Sequence, residues 1–84
     1  MFYVYVLLSE EEKPSYYIGF SSDVEKRVAD HNAGRNRSTA GKRWKLAYYE
    51  AYVSEESARR REQKLKRNPR MRQFLLNRVL EQFR

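Results

Sequence analysis

Apolar residues fall in short runs along this chain, and their spacing predicts a small set of strands and helices. Residues 2 to 8 and 16 to 20 are rich in β-branched and aromatic side chains, which is typical of buried strands. The segment between them is acidic and contains Pro14, so a hairpin is the simplest connection. Because side chains alternate along a strand, Tyr5 shares a face with Leu7, and Tyr17 shares one with Gly19.

A helix is predicted after the second strand, over residues 23 to 33. Residues 22 to 25 (SDVE) have the form of a capping box with Ser22 as the N-cap, and Gly34 is a typical stop. Positions i, i+3, i+4 and i+7 form the inner stripe of this helix. The stripe combines two valines with two polar side chains, namely Val24, Arg27, Val28 and His31.

The second half of the chain is predicted to contain one strand and two helices. Residues 35 to 43 are polar and basic and indicate a loop with room for one helical turn, and residues 44 to 53 indicate a third strand. Ser54 should cap a helix over residues 55 to 67, which only Ala58 and Leu65 can anchor. Glu62 lies between these two anchors in helical phase, so its carboxylate should point toward the sheet.

The last predicted helix follows Asn68-Pro69, because the residue before a proline leaves the helical region and Pro69 can open a new helix. We expect this helix to be amphipathic and to pack on the sheet. The expected apolar face consists of Met71, Phe74, Leu75, Val79 and Phe83. Residues 1 to 84 are therefore predicted to form one domain in the order β-β-α-β-α-α.

Charge is distributed unevenly along the chain. Residues 1 to 34 carry a net charge of −3, whereas residues 35 to 84 carry +10. A local positive surface favours a polyanionic partner such as nucleic acid, although a solvated helix face explains the composition equally well. The chain has no Cys and one His, which excludes disulfides, thiolate nucleophiles and Cys-type zinc sites. No apolar run is long enough to span a membrane, so we expect a soluble protein, with the cytoplasm as the default location.

Five polar residues on the predicted inner faces suit phosphodiester hydrolysis: Tyr5, Tyr17, Arg27, His31 and Glu62. One carboxylate such as Glu62 can hold a hydrated Mg²⁺ or Mn²⁺, and the guanidinium of Arg27 can clamp phosphate oxygens. A phenol near these cations can have a lowered pKa and take a proton from water.

Each of these five residues also has a purely structural explanation. Buried tyrosines are common in small cores, and a single His on a half-apolar face is often structural. Arg27 can pair with Asp23 one turn earlier, and Glu62 can pair with Lys66 or Arg59.

The sequence also resembles the GIY-YIG nuclease superfamily. The segments Tyr3-Val4-Tyr5 and Tyr17-Ile18-Gly19 look like its paired motifs, and the residues that follow keep the order of that family: Arg27, His31, Glu62 and Asn68. The resemblance covers nearly the whole chain and is closest to small stand-alone UvrC-like members, which also carry the His-Asn-x-Gly stretch present at residues 31 to 34. The first motif has Tyr3 where the family has Gly, which leaves the reactive position Tyr5 intact.

The resemblance implies an α+β fold with a three-stranded antiparallel sheet flanked by helices. It further implies that Glu62 binds a single divalent metal, that Arg27 stabilises the transition state, and that a tyrosine or His31 activates water. We favour Tyr5 as the general base, with Tyr17 and His31 positioning the water and the scissile phosphate. Asn68 matches a polar position that supports the site in relatives, although a capping role competes with that one.

The predicted function is a metal-dependent DNA endonuclease that recognises backbone shape rather than base sequence. Such an enzyme would suit DNA repair. DNA is favoured over RNA, and a partner protein can supply specificity. The alternatives are a non-catalytic nucleic-acid-binding module of the same fold and a basic module that binds an acidic protein. The residues expected to contact nucleic acid are Arg35, Arg37, Lys42, Arg43, Arg59, Arg60, Lys64 and Asn68. For the three consecutive arginines 59 to 61, a solvated helix face is equally consistent with the sequence.

Overall fold

The computed structural model describes residues 1–83 of the chain. Three antiparallel strands form one sheet in the order β2-β1-β3, and three helices flank it, which confirms the predicted α+β fold. The elements are β1 (Phe2–Ser9), β2 (Tyr16–Ser21), α1 (Val24–Asn32), β3 (Trp44–Tyr52), α2 (Glu55–Arg67) and α3 (Pro69–Glu81).

The central strand β1 is buried on both faces, as its continuous apolar run predicts. On one face, Val4, Val6 and Leu8 pack with α2 and α3 in the larger core. On the other face, Tyr5 and Leu7 pack with Trp44 and with apolar residues of α1 in a smaller core. The helix that carries Arg27 and His31 therefore covers the face of the sheet that carries Tyr5.

Helix α1 begins one residue later than the capping box predicts. Its N-cap is Asp23, whose carboxylate accepts a hydrogen bond from the amide of Lys26 at 3.1 Å. Ser21 is the cause of this shift, because its hydroxyl bonds both the amide and the carbonyl of Asp23 at 2.9 Å and so holds Asp23 in an extended conformation. The prediction of Ser22 as N-cap is wrong. At the other end, Gly34 has φ +76°, which confirms it as the stop.

The boundary between the two C-terminal helices agrees with the sequence. Ser54 caps α2 by accepting from the amide of Ser57, and Asn68 ends α2 and caps α3 by accepting from the amide of Met71 at 3.1 Å. Ala58 and Leu65 are the buried residues of α2, as predicted.

The predicted apolar face of α3 needs correction at two positions. Phe74 and Phe83 are 70% and 49% exposed, whereas Leu75, Leu76 and Val79 are buried. The face that packs is therefore rotated toward Leu76, which joins Leu75 and Val79 in the larger core.

Candidate active site

Four of the five predicted catalytic residues lie on the sheet face that α1 covers, and the fifth, Glu62, reaches the edge of the same site from α2. Tyr5 comes from β1, Tyr17 from β2, Arg27 and His31 from α1, and Glu62 from α2. The rings of Tyr5 and Tyr17 have centroids 6.4 Å apart, and the imidazole of His31 lies 4.6 Å from the ring of Tyr17. Residues that are up to 57 positions apart in the sequence thus form one cluster.

Tyr5 and His31 form a buried hydrogen-bonded pair at the base of this cluster. The hydroxyl of Tyr5 lies 3.0 Å from Nε2 of His31, and the two residues are 0% and 1% exposed. Gly19 lies opposite Tyr5 in the sheet and leaves space for its ring. The hydroxyl of Tyr5 is therefore inaccessible to solvent in this structure.

Burial also acts on the protonation of this pair. Desolvation raises the pKa of Tyr5 above its ordinary value, although the guanidinium of Arg27 opposes the increase. The sequence-based expectation of a lowered phenol pKa is thus wrong for Tyr5. Desolvation, together with the charge of Arg27, lowers the pKa of His31, so its imidazole is neutral at neutral pH.

Arg27 brings an unsatisfied buried donor to the cluster. Its Nε is buried and has no hydrogen-bond partner among the described residues. The guanidinium lies near the hydroxyl of Tyr5, and this interaction raises the pKa of Arg27. The alternative ion pair with Asp23 is not formed in the described part of the chain. A buried donor without a partner is costly unless a ligand completes it.

Glu62 lies at the edge of the site, with its side chain 19% exposed, in agreement with its predicted inward phase. Its carboxylate is close enough to Tyr5 to contribute to the increase in the pKa of that phenol. The ammonium of Lys66 lies 3.5 Å from this carboxylate and 5.9 Å from the ring centroid of Tyr17. The pairing of Glu62 with Lys66 that the sequence left open is therefore present.

The loop between α1 and β3 contributes two residues that the sequence did not predict. Thr39 is 1% exposed, and its Oγ1 lies 2.7 Å from Nδ1 of His31. Asn36 donates from Nδ2 to the hydroxyl of Tyr17 at 3.4 Å. A threonine and an asparagine in a polar loop give no periodic signal, so only the folded loop identifies them.

The predicted nucleic-acid contacts fall into two groups. Most of the basic residues form surface ion pairs within the chain: Arg35 with Asp30, Lys42 with Glu11, Arg43 with Glu10, Arg59 with Glu55, and Arg60 with Glu56. Arg37 and Lys64 have no acidic partner among residues 1–83. Exposed pairs of this kind are worth only about 0 to 1 kcal/mol, so they can open to phosphate.

Arg61 differs from the two arginines before it. Its Nε and Nη2 each donate to the carboxylate of Glu50 at 2.9 Å, and the hydroxyls of Tyr48 and Tyr52 donate to the same carboxylate. Arg61 therefore joins α2 to β3 and is unavailable to a phosphate. Trp44 is 5% exposed, which agrees with core packing rather than base stacking.

Comparison with known proteins identifies a family. A family model described as the GIY-YIG catalytic domain matches residues 1–74. A UPF0213 protein of Streptococcus pneumoniae is 40% identical over 70 residues, which cover 81% of this chain and 69% of that protein. A UPF0213 protein of Halobacterium salinarum is 40% identical over 68 residues, covering 79% of this chain and 86% of the relative. No solved structure matches the chain.

No helix within residues 1–83 is long and apolar enough to cross a membrane.

Proposed function

This chain belongs to the GIY-YIG catalytic domain family, and from that premise we propose that it is a divalent-metal-dependent endonuclease that hydrolyses phosphodiester bonds in DNA. The observation that carries the proposal is the buried, unpartnered Nε of Arg27. It lies in a cluster that also contains a carboxylate and two tyrosines. A phosphate oxygen is an acceptor that would complete this donor, since guanidinium groups bind phosphate in a planar fork.

Glu62 is the residue we assign to the metal. The described residues include no group of three or more acidic or histidine side chains that could enclose an ion. One partly buried carboxylate nevertheless fits a Mg²⁺ or Mn²⁺ ion that keeps most of its waters. The ammonium of Lys66 must then move away from Glu62, which a loose pair at 3.5 Å allows. When bound, such an ion would neutralise phosphate charge and make a coordinated water more acidic.

Arg27 and Tyr17 are the residues that we assign to contact with the substrate. Arg27 donates to the phosphoryl oxygens, where negative charge increases in the transition state. Tyr17 is partly exposed, unlike Tyr5, so its phenol oxygen can meet the attacking water and, once it has lost its own proton, accept one from that water. We therefore prefer Tyr17 to Tyr5 as the general base.

Tyr5 and His31 support Arg27 from below in this proposal. The phenol of Tyr5 is bonded to a neutral imidazole, and its oxygen faces the guanidinium. This arrangement holds the cation near the surface of the site without neutralising it. Removal of either residue should displace Arg27 and lower the rate indirectly.

The substrate is proposed to be DNA of a particular shape rather than a particular sequence. Apart from Arg61, the basic residues along the loop 35–43 and helix α2 are exposed and suited to phosphate contacts, which carry no base information. Asn68 is exposed and already caps α3 with its side chain, so we assign it a structural role before a binding one.

One observation favours a second candidate, a nucleic-acid-binding module without catalysis. The carboxylate of Glu62 already has a cationic partner in Lys66. If that pair persisted in the presence of metal and DNA, the fold would bind a backbone and leave it uncut.

Cleavage of labelled DNA tests both candidates. Duplex, single-stranded, flap and junction DNA, together with RNA, are incubated with the protein and Mg²⁺ or Mn²⁺. Wild type is compared with Glu62→Ala and with Glu81→Ala, an exposed glutamate at the end of α3 that serves as the matched control. We expect cleavage that EDTA and Glu62→Ala abolish and that Glu81→Ala leaves intact. Binding without cleavage under either metal would reject the enzyme in favour of the binding module.

A further inference from the structure

Thr39 contacts both the buried pair and the core from within the basic loop. Its Oγ1 lies 2.7 Å from Nδ1 of His31, and its carbonyl accepts the indole N–H of Trp44 at 2.8 Å. The side chain is 1% exposed, so no water competes for these groups. Thr39 is therefore fixed at the end of a hydrogen-bonded chain that leads through His31 to Tyr5.

The hydroxyl of Thr39 has a second neighbour, the carbonyl of Asn36, and this neighbour indicates which groups donate in the series of hydrogen bonds from Thr39 through His31 to Tyr5. The Thr39 hydroxyl donates to the carbonyl of Asn36 at 3.3 Å. A hydroxyl has one proton, so with that proton directed at Asn36 its oxygen accepts from His31, and this arrangement places the imidazole proton on Nδ1. Nε2 is then the unprotonated nitrogen, and it accepts the phenolic proton of Tyr5 at 3.0 Å.

Arg27 supports the same direction independently. A guanidinium is a donor only, and here it lies near the oxygen of Tyr5. If Nε2 of His31 carried the proton, the phenolic proton of Tyr5 would have to turn toward the side of Arg27. Two donors would then oppose each other in a buried space, which is costly. With the proton on Nδ1, the phenolic proton of Tyr5 is directed at Nε2 of His31, and no proton of Tyr5 opposes the guanidinium.

We propose that Thr39 is a positioning residue that selects the Nδ1–H tautomer of His31 and thereby turns the oxygen lone pairs of Tyr5 toward Arg27. The consequence for Arg27 rests on the proposed function, whereas the tautomer of His31 does not. Thr39 touches neither substrate nor metal in this scheme. It acts through His31 and Tyr5 on the guanidinium that is assigned to the phosphate.

The turn that contains Thr39 also supports the second tyrosine. Asn36, three residues earlier, donates to the hydroxyl of Tyr17 at 3.4 Å, and Arg37 lies between them with an exposed side chain. The short segment 36–39 therefore orients both tyrosines of the site while it presents one basic residue to the outside. A loop that the sequence identifies only as a phosphate contact also orders the interior of the site.

Nitrogen NMR of the imidazole tests the tautomer directly, because His31 is the only histidine in the chain. In protein labelled with ¹⁵N at histidine, we expect Nδ1 to show the shift of a protonated nitrogen and Nε2 that of an unprotonated one. Thr39→Ser keeps the hydroxyl and should preserve this pattern. Thr39→Val keeps the shape but removes the acceptor, and it should shift the population toward the Nε2–H tautomer.

Cleavage kinetics extend the test to Arg27. Thr39→Val should lower kcat about 10- to 100-fold, in the range that loss of an outer-shell partner produces. KM should change little, and Thr39→Ser should restore the rate. A purely structural role would instead lower the amount of folded protein without changing the tautomer.

The outcomes separate this inference from the proposed function. Wild-type His31 protonated on Nε2 would overturn the inference even if the protein cuts DNA. The expected tautomer in a protein that cuts no substrate would uphold the action of Thr39 on His31 and reject the nuclease. If Thr39→Val fails to fold, the wild-type tautomer and its preservation in Thr39→Ser still decide the question.

Discussion

Gly19 lies directly opposite Tyr5 in the antiparallel pair of β1 and β2, and the ring of Tyr5 occupies the space above it. A Cβ built on Gly19 would overlap the Cζ and hydroxyl of Tyr5. The backbone of Gly19 does not have a positive φ, unlike that of Gly34 and Gly41. Glycine is required at this position for space and not for backbone freedom.

Gly19→Ala should therefore destabilise the fold by about 1 to 3 kcal/mol, the usual cost of overpacking a core. Urea unfolding of the two proteins measures this change. The same substitution in a Tyr5→Leu background should cost much less, because the overlapping ring atoms are absent. Equal losses in the two backgrounds would show that the overlap with Tyr5 is not the cause.

The two tyrosines should respond differently to removal of their hydroxyls. Tyr17→Phe should lower the cleavage rate about 10²- to 10⁴-fold, as expected for loss of a general base, with stability nearly unchanged. Tyr5→Phe should instead destabilise the protein by about 1 to 3 kcal/mol, since it leaves Nε2 of His31 buried without its partner. Paired measurements of single-turnover rate and urea unfolding check both expectations. A larger rate loss in Tyr5→Phe than in Tyr17→Phe would identify Tyr5, and not Tyr17, as the general base.

Glu50 and Arg61 should make the stability of the fold depend on pH. Burial alone would raise the pKa of Glu50, but the hydrogen bonds from Arg61, Tyr52 and Tyr48 lower it to about 2, compared with 4.5 for a free carboxyl. Because the pKa is lower in the folded state, the stabilisation is complete above 4.5 and is lost as pH falls toward 2. The difference corresponds to on the order of 3 kcal/mol.

Glu50→Gln isolates this contribution. The free energy of unfolding should be lower than that of wild type by on the order of 3 kcal/mol at neutral pH. The difference should shrink as both proteins are moved to acid, because protonation of Glu50 removes its contribution in the wild type, whereas a glutamine at this position does not titrate. A difference that stays constant from neutral pH to about pH 3 would contradict the lowered pKa of Glu50.

Local signals in the sequence were sufficient for most of the fold. The continuous apolar run of β1, the cap at Ser54 and the break at Pro69 each depend on residues that are neighbours in the chain, and each was predicted. The inward position of Glu62 also followed from helical phase alone. The cap of α1 was misplaced by one residue because the hydroxyl of Ser21, on the preceding strand, decides where the helix begins.

Contacts between distant elements could not be predicted in this way. The bond of Thr39 to His31 depends on how the loop after α1 folds back, and the pair of Arg61 with Glu50 depends on how α2 lies across β3. Phe74 was predicted to be buried because its residue type is apolar, yet the packed face of α3 lies elsewhere. In the site itself, the family resemblance selected residues that the fold brings close together, but the difference in burial between Tyr5 and Tyr17 required the structure.

Salt dependence should distinguish basic residues that contact phosphate from those that are occupied within the chain. Arg37 and Lys64 have no acidic partner among the described residues, whereas Arg61 is held by two hydrogen bonds to Glu50. For binding to duplex DNA, log K falls with log salt concentration by about 0.9 per phosphate neutralised. Arg37→Ala and Lys64→Ala should each reduce this slope by about 1, measured by fluorescence anisotropy over a range of salt concentrations in the presence of EDTA.

Arg61→Lys provides the matched control, because it keeps the charge while it loses the bidentate geometry to Glu50. It should lower the stability of the fold and leave the slope unchanged, since this guanidinium faces β3 and not the solvent. A slope that falls in Arg61→Lys but not in Arg37→Ala would mean that DNA contacts the side of α2 that carries Arg61 and not the loop that carries Arg37. Slopes unaffected by Arg37→Ala and Lys64→Ala would mean that the pairs of Arg35, Lys42, Arg59 and Arg60 open to supply the phosphate contacts instead.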